Sequence, residues 1–293
     1  TGGMMPLPWR WLSCALIRCG STLTLLDCGE GTQVPWKSLG WGFRQLGAIC
    51  FTHMHADHVA GLPGVLFMVA HAGRTEPLDI YGPVGTTYIV EGLRRIAPEL
   101  PFPVQIHELK SGAHFPLPGS LRGSCLNAAH GIPCLAYRIE LERKPAFLPE
   151  RAQALGLPVQ LWSRLQHGET VQYNGQTIKP SQVLGPPRRG ISLAYITDTR
   201  PTPALSVFVR DVDLLICESM YDDPEDLPLA KANAHMLSQE SAGIAEAAGA
   251  HALILTHFSP KITDTSGAEK AARRIFANTR AAKDGMVVTL EYS

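Results

Sequence analysis

Four metal-competent side chains fall within six residues at His53-Met54-His55-Ala56-Asp57-His58, directly behind the apolar run Ala48-Ile49-Cys50-Phe51-Thr52. A short strand that delivers its C-terminal loop into such a crowd of imidazole and carboxylate needs a fold that gathers functional loops at a rigid sheet edge. In an extended segment alternate residues share a face, so His53, His55 and Asp57 are expected together and His58 apart, and one loop can serve two ions. Imidazole with carboxylate suits zinc and its borderline-soft neighbours, whereas magnesium or calcium calls for oxygen ligands alone. Ordinary solvated histidines would account for neither the apolar lead-in nor the crowding.

The 293 residues, 45% of them hydrophobic, suffice for one large domain or two small ones with a substantial core. Seven cysteines (Cys14, Cys19, Cys28, Cys50, Cys125, Cys134 and Cys217) form no C-x-x-C pair and sit mostly in apolar runs. They read as buried free thiols in a reducing compartment. No run approaches the roughly 18 apolar residues of a membrane span, and no charged segment followed by an apolar one opens the chain. A soluble cytoplasmic protein with no membrane contact is expected. A net charge of zero argues against indiscriminate nucleic-acid binding but leaves the charge distribution open.

Short apolar runs rich in β-branched residues recur at Thr22 to Leu26, Ala48 to Thr52, Leu78 to Tyr81, Val104 to Leu109, Leu135 to Leu141, Ile191 to Thr197, Leu214 to Cys217, Ala252 to Thr256 and Met286 to Leu290, and predict strands. Helices are predicted at Gly61 to His71, Thr86 to Ala97, Ser238 to Ala248 and Glu269 to Ala277, with Ser238 as an N-cap and Gly249 as a stop. Strand runs that stay apolar imply sheets covered on both faces, hence a layered α/β architecture. One region breaks the rhythm. Glu142 to Arg189 carries six prolines and an Asn174-Gly175 turn, and reads as an inserted arm within one domain rather than a second core. Arg143, Lys144, Arg151, Arg164, Lys179, Arg188 and Arg189 stand there against Glu142, Glu150 and Glu169, a net of +4 on a chain whose remainder is then −4. A basic protrusion on a slightly acidic body is the footprint of a phosphate-backbone contact, so these seven cations are candidate phosphate-binding residues.

Several apolar runs end in a candidate functional group: His130, Asp198, Glu218 and His257 each follow one. Adding His130, Asp198 and His257 to the opening motif gives seven candidate ligands. That exceeds what one tetrahedral ion can use while keeping a position open for water, so two metals are implied. Asp198, with two carboxylate oxygens, is the choice for a bridge between them. Metal binding lowers the pKa of bound water from about 15.7 towards about 7, so a nucleophile exists at neutral pH without an activated serine or cysteine. No Gly-rich phosphate loop and no nucleophile elbow competes. His71, His107, His114, His167 and His251 follow no strand end and are expected to be surface or core residues.

The pattern His53-x-His55-x-Asp57-His58, then His130, Asp198 and His257, resembles the metallo-β-lactamase superfamily. Within it the chain is similar to the ribonuclease Z family, the tRNA 3′-processing endonucleases, through Thr1-Gly-Gly-Met-Met-Pro6, Asp27-Cys-Gly-Glu-Gly-Thr32, Ala234-His235, Leu255-Thr-His257-Phe-Ser-Pro260 and the position of the arm. The resemblance spans nearly the whole chain. It implies an αββα sandwich of two mixed β-sheets with outer helices, a homodimer, precursor tRNA as substrate, and a strand preceding Thr1. It also implies two zinc ions per subunit, with manganese, cobalt or iron as substitutes: His53, His55 and His130 on one, Asp57, His58 and His257 on the other, Asp198 between. Asp57 would orient or deprotonate the attacking water, His235 would protonate the departing 3′ oxygen, and Glu218 would position His235. The tRNA would keep a 3′-hydroxyl and the trailer a 5′-phosphate, while the arm of one subunit would grip the tRNA cut by the other.

The chain departs from the family pattern at Val159-Gln160-Leu161-Trp162-Ser163, where a Gly-Pro pair and a further Gly are usual. It departs again at Thr197, where Gly usually precedes the aspartate, and at Cys217 and Ser219 on either side of Glu218. A phosphodiesterase or other hydrolase for small molecules, and an RNA-binding module with structural metals, are the competing readings of the same metal core.

Overall fold

Alternation of buried side chains along each strand decides the layering. In the computed structural model, which describes residues 1–97 and 99–292, one five-stranded sheet has the order β1 (Ala15–Cys19), β2 (Thr22–Leu26), β3 (Leu46–Cys50), β4 (Leu78–Gly82) and β5 (Val104–Glu108). A seven-stranded sheet runs β14 (Thr279–Ala281), β13 (Leu253–Thr256), β12 (Leu214–Glu218), β11 (Arg188–Ile196), β8 (Leu135–Arg143), β7 (Leu121–Asn127) and β6 (His114–Leu117). Both sheets are mixed: β1 is antiparallel to β2 while β2 to β5 are parallel, and β6 to β8 are antiparallel while β11 to β14 are parallel.

Three apolar clusters fill the layers. Leu23, Leu25, Ile49 and Phe51 face helices α1 (Gln33–Ser38), α2 (Ala56–Val59), α3 (Leu62–His71) and α4 (Thr86–Arg94) through Trp36, Val59, Leu62, Leu66 and Val90. The alternate residues Leu26, Ala48 and Cys50 face the second sheet and meet Leu135, Tyr137, Ile139 and Tyr195 there. On the far side Ala194, Ile196, Leu215, Cys217 and Leu255 pack against α7 (Pro203–Phe208), α9 (Ser238–Ala248) and α10 (Ser266–Arg273), whose contributions include Leu205, Ala242, Ala245, Ala268 and Ala272. The period of two thus sends successive side chains of one strand into different cores, which makes an αββα sandwich. The short helix α8 (Leu227–Ala232) adds Leu227 and Ala230 to a satellite cluster with Met220 and Tyr221. Among the described residues no helix is long and apolar enough to cross a membrane. All seven cysteines are free, five of them buried.

Two compact units are present. Residues 1–141 and 192–290 form the sandwich, and Glu142–Ile191 with Glu291 and Tyr292 form the other. The second unit carries α5 (Pro149–Ala154), α6 (Val159–Gln166) and a hairpin of β9 (Val171–Tyr173) and β10 (Gln176–Ile178). Asn174 and Gly175, at φ 48° and 75°, close the hairpin in the left-handed region that such two-residue turns require. The expectation of an arm with no second core is corrected here, because Ala152, Leu157, Leu165, Val171, Ile178 and Val183 are buried together within this unit.

Other differences are local. Met286 to Leu290 is not a strand: Met286, Val288 and Leu290 pack on Leu214, Ile254 and Ala282, but the segment has no ladder partner. Ser238 is the first helical residue of α9 and Leu237 the cap, with Leu237 N–H donating to Glu240 Oε2 at 3.0 Å. Gly249 ends that helix at φ 64°, as expected. The predicted helix at Glu269 to Ala277 lies earlier, at Ser266–Arg273, and β1, β6, β7 and β14 were not anticipated.

A polar pin joins the sheets beneath the metal-competent loop. Asp27, fully buried just past β2, accepts from Thr52 N–H (2.7 Å) and from Tyr195 Oη of the facing sheet (3.2 Å), and its Oδ2 lies 2.8 Å from His58 Nδ1. Gly29 and Gly61 allow the turn after Asp27 to lie flat on the His58 loop, since a methyl on either would strike backbone carbonyl oxygens of Asp57 or Gly29. Asp27→Ala leaves these buried donors without an acceptor, at about 1–3 kcal/mol each, whereas Tyr195→Phe removes one donor cleanly and costs about 1 kcal/mol. Urea unfolding should therefore rank Asp27→Ala well below Tyr195→Phe in stability; equal midpoints would remove the pin from this account.

Candidate metal centre

The loops that leave β3, β7, β11, β12 and β13 bring the candidate residues to one edge of the sandwich. His53, His55, His130 and Asp198 form one group whose ligand atoms lie within 4.8 Å of one another, and Asp57, His58 and His257 form a second. Asp198 joins both. Its Oδ2 lies 3.6 Å from His53 Nε2, while its Oδ1 lies 3.3 Å from His58 Nε2 and 3.2 Å from His257 Nε2. Asp57 Oδ2 lies 3.6 Å from His58 Nε2 and 3.5 Å from His257 Nε2.

The expected common face of His53, His55 and Asp57 is corrected. His55 is extended (φ −71°, ψ 152°) and caps α2, so the chain turns helical at Ala56. Asp57 and His58 are then neighbours on one helical turn, and both point to the second group. The change from a period of two to a helical one splits the hexapeptide between the two groups.

The donor chemistry fits cations. His58 Nε2 lies 3.0 Å from His257 Nε2, His53 Nε2 lies 3.0 Å from His55 Nδ1, and His130 Nε2 lies 3.3 Å from the same His55 atom. Lone pairs of neutral imidazoles brought this close repel unless a proton or an ion lies between them. Asp198 Oδ1 is buried with no hydrogen-bond donor, which an ion would satisfy. Burial holds the pKa values of His53 and His130 below the ordinary histidine range, so both are available as neutral ligands. Burial alone would protonate Asp198, but His257, His58 and His53 hold its pKa well below the carboxylate range. Burial also opposes ionisation of Asp57, and the hydrogen bond and charge of His257 with the charge of His58 outweigh it.

Next to these groups stands a histidine–carboxylate pair. His235 Nδ1 lies 3.1 Å from Glu218 Oε2, and its Nε2 faces Asp198 Oδ2 at 3.9 Å. Glu218 is fully buried and its other contacts are backbone amides: Thr199 N–H at 2.6 Å and Met236 N–H at 3.1 Å. Burial works against charge on His235, but Glu218, with Asp198 and Asp57, raises its pKa above the usual range. Of the eight non-glycine residues with positive φ among the described residues, Met4, Asp27, Asp198, Ala234 and His257 are five. Strained backbone concentrated at one edge marks a functional region.

Three contributors, Asp27, Met4 and Gly3, lie in stretches that carry the family resemblance but have no role assigned from sequence. Asp27 ends an apolar run, as the other strand-end groups do, and that signal could have found it. Met4 N–H donates to Asp57 Oδ2 at 2.8 Å, and Gly3 lies so close to His257 that a Cβ would strike its ring; no side-chain pattern encodes these contacts. Thr197, where the family pattern has Gly, donates its hydroxyl to Thr52 Oγ1 at 3.2 Å. Among the described residues, His71, His107, His114, His167 and His251 join neither group.

The arm cations belong to the second unit, where part of their charge serves its own fold. Arg164 pairs with Glu169 at 2.8 Å, Arg151 donates to Leu184 O at 3.1 Å, and Arg188 Nε donates to Lys144 O at 2.8 Å. Arg143 lies over the Tyr292 ring at 4.9 Å. Lys144, Lys179 and Arg189 have exposed side chains.

Comparison with known proteins bears on the fold and the family. Residues 23–258 match the family described as Beta-lactamase superfamily domain. Ribonuclease Z of Lachnoclostridium phytofermentans is 41% identical over 292 residues, covering 100% of this chain and 96% of the relative. That of Clostridium kluyveri is 42% identical, covering 99% and 96%. The crystal structure of human tRNase Z, short form, aligns with TM-score 0.71 at 23% identity, covering 99% of this chain and 97% of that one. The metallo-β-lactamase fold protein YhfI of Bacillus subtilis aligns with TM-score 0.69 at 21% identity, covering 97% and 94%. The match over residues 23–258 and the identity to the two ribonuclease Z relatives over nearly their whole length place the chain in the ribonuclease Z family of the metallo-β-lactamase superfamily.

Proposed function

We propose that this chain is a metal-dependent endoribonuclease that removes 3′ trailers from precursor tRNA. The observation that carries the reading is Asp198, one oxygen towards each donor group, with the Glu218–His235 pair beside it, in a chain of the ribonuclease Z family. His53, His55 and His130 would hold one zinc ion, Asp57, His58 and His257 would hold a second, and Asp198 is placed to contribute to either group; manganese, cobalt and iron would accept the same ligands.

Bound at these positions, the ions supply Lewis-acid polarisation of the phosphate and a water of lowered pKa. The remaining work falls to side chains. Asp57, fixed by Met4 N–H, orients the attacking water and takes its proton as the oxygen bonds to phosphorus. The bond from phosphorus to the ribose 3′ oxygen breaks, and His235, kept protonated by Glu218, gives its proton to that oxygen. The tRNA body ends in a 3′-hydroxyl and the trailer begins with a 5′-phosphate. The net +4 charge of residues 142–189 supports a role for Lys144, Lys179, Arg189 and their basic neighbours in docking the RNA backbone by shape. In this reading the protein works as a homodimer, as the family resemblance implies, in the reducing cytoplasm that its free cysteines suit.

Purified protein incubated with a precursor carrying a 3′ trailer should make one cut with these ends, lose the activity to a chelator and regain it with zinc. Asp57→Ala should slow cleavage by about 10²–10⁴-fold; a variant cutting at the normal rate would exclude the mechanism.

The pH dependence has a definite sign. A proton donor works only while protonated, so kcat/KM falls as pH rises through the His235 pKa, which Glu218 raises. Glu218→Gln removes that charge, lowers the pKa and should move the alkaline limb to lower pH. An alkaline limb unmoved in the variant would detach Glu218 from the donor.

A further inference from the structure

We infer that Arg200, clamped by Glu240, is a positioning residue for the proton-donating step. It holds the backbone that carries His235 in register with Asp198 and His130. The inference rests on the donor role proposed for His235.

Arg200 follows Asp198 by two residues, and its backbone N–H donates to Ala129 O at 3.0 Å, next to His130. Ala129 N–H returns a hydrogen bond to Thr199 Oγ1 at 2.7 Å, so the Asp198 and His130 loops are stitched together from both sides. The guanidinium then reaches a third loop. Nη1 donates to the carbonyl of His235 and, at 2.9 Å, to Glu240 Oε2, while Nη2 donates to Glu240 Oε1. Glu240 is fixed in turn, because Oε2 accepts from Leu237 N–H at 3.0 Å at the start of α9.

His235 is therefore held at two points by one short segment. Its ring is held by Glu218, whose other oxygen accepts from Thr199 N–H, and its main chain is held by Arg200. The residue before it, Ala234, has φ 56°, a conformation that a non-glycine residue keeps only when its surroundings impose it. The Arg200 and Glu240 side chains are only 21% and 22% exposed, so water competes weakly for the fork. Lysine cannot replace it, since one ammonium cannot hold both Glu240 oxygens and the His235 carbonyl in a single plane.

The chemistry of the leaving group separates positioning from general support. A ribose 3′ oxygen leaves with a proton, whereas p-nitrophenolate leaves without one. Misplacing His235 thus slows precursor tRNA cleavage selectively, while lost metal or a loosened fold slows both reactions. The test measures kcat and KM of wild type, Arg200→Lys, Glu240→Gln and His235→Ala on a precursor tRNA and on bis(p-nitrophenyl) phosphate, with zinc content and thermal midpoint for each protein.

Arg200→Lys should lose about 10–100-fold in kcat on the precursor, with KM and zinc content unchanged and a loss on the small diester at least about tenfold smaller. Glu240→Gln should show the same selectivity in milder form. Equal losses on the two substrates by both Arg200→Lys and Glu240→Gln, beside a selective loss by His235→Ala, overturn the inference alone. Equal losses by His235→Ala itself overturn the donor reading and the inference with it.

Discussion

The buried carboxylate of Asp198 is the constraint around which the site is arranged. Its two oxygens face different sets of imidazoles, so a negative charge that would be costly alone in the interior is stabilised from two sides. This demands that loops from both sheets converge within a few ångströms and stay there. The Asp27 pin meets the demand beneath the site, where it ties β2, the Thr52 loop, Tyr195 and His58 together. Glu218 and Arg200 meet it beside the site, joining the Asp198 segment to His235 and to the residue before His130. Left-handed backbone at Asp27, Asp198, Ala234 and His257 is the local cost.

Much of this was legible in the sequence because a single rule generates it. A run of apolar residues, most often with a β-branched member, that ends in a histidine or carboxylate delivers that group to the edge of a sheet; His53, Asp198, Glu218 and His257 follow it, and His130 follows only the short stretch Leu126-Asn127-Ala128-Ala129. Asp27 obeys the same rule after Leu25 and Leu26, but it stands in none of the donor groups and acts beneath them. The layering was legible for a similar reason: runs apolar on both faces, such as Leu214 to Cys217, need cover on both sides.

What the sequence hid depends on partners and on backbone. Met286 to Leu290 has the alternation of a strand, yet a strand also needs a ladder neighbour, and composition cannot supply one. Strands β6 and β7 were hidden the opposite way, since Arg122, Gly123 and Ser124 break the apolar run while antiparallel pairing carries the segment. Asp57 was assigned to the wrong face because one turn of helix begins at Ala56, and four residues are too few to show a helical period. Contacts made by Met4 N–H, Arg200 N–H and the His235 carbonyl leave no trace in a side-chain pattern. The arm's charge was countable, but its buried cluster around Leu165 and Val183 draws on short, widely spaced apolar positions that read as loop.

The central claim is that one carboxylate divides the ligands into two metal sites. Calorimetric titration of chelator-stripped protein with zinc tests it most directly. The account expects two equivalents bound per chain, falling to one when His257 is replaced by alanine. One equivalent in the wild-type protein, or two retained in His257→Ala, would contradict it.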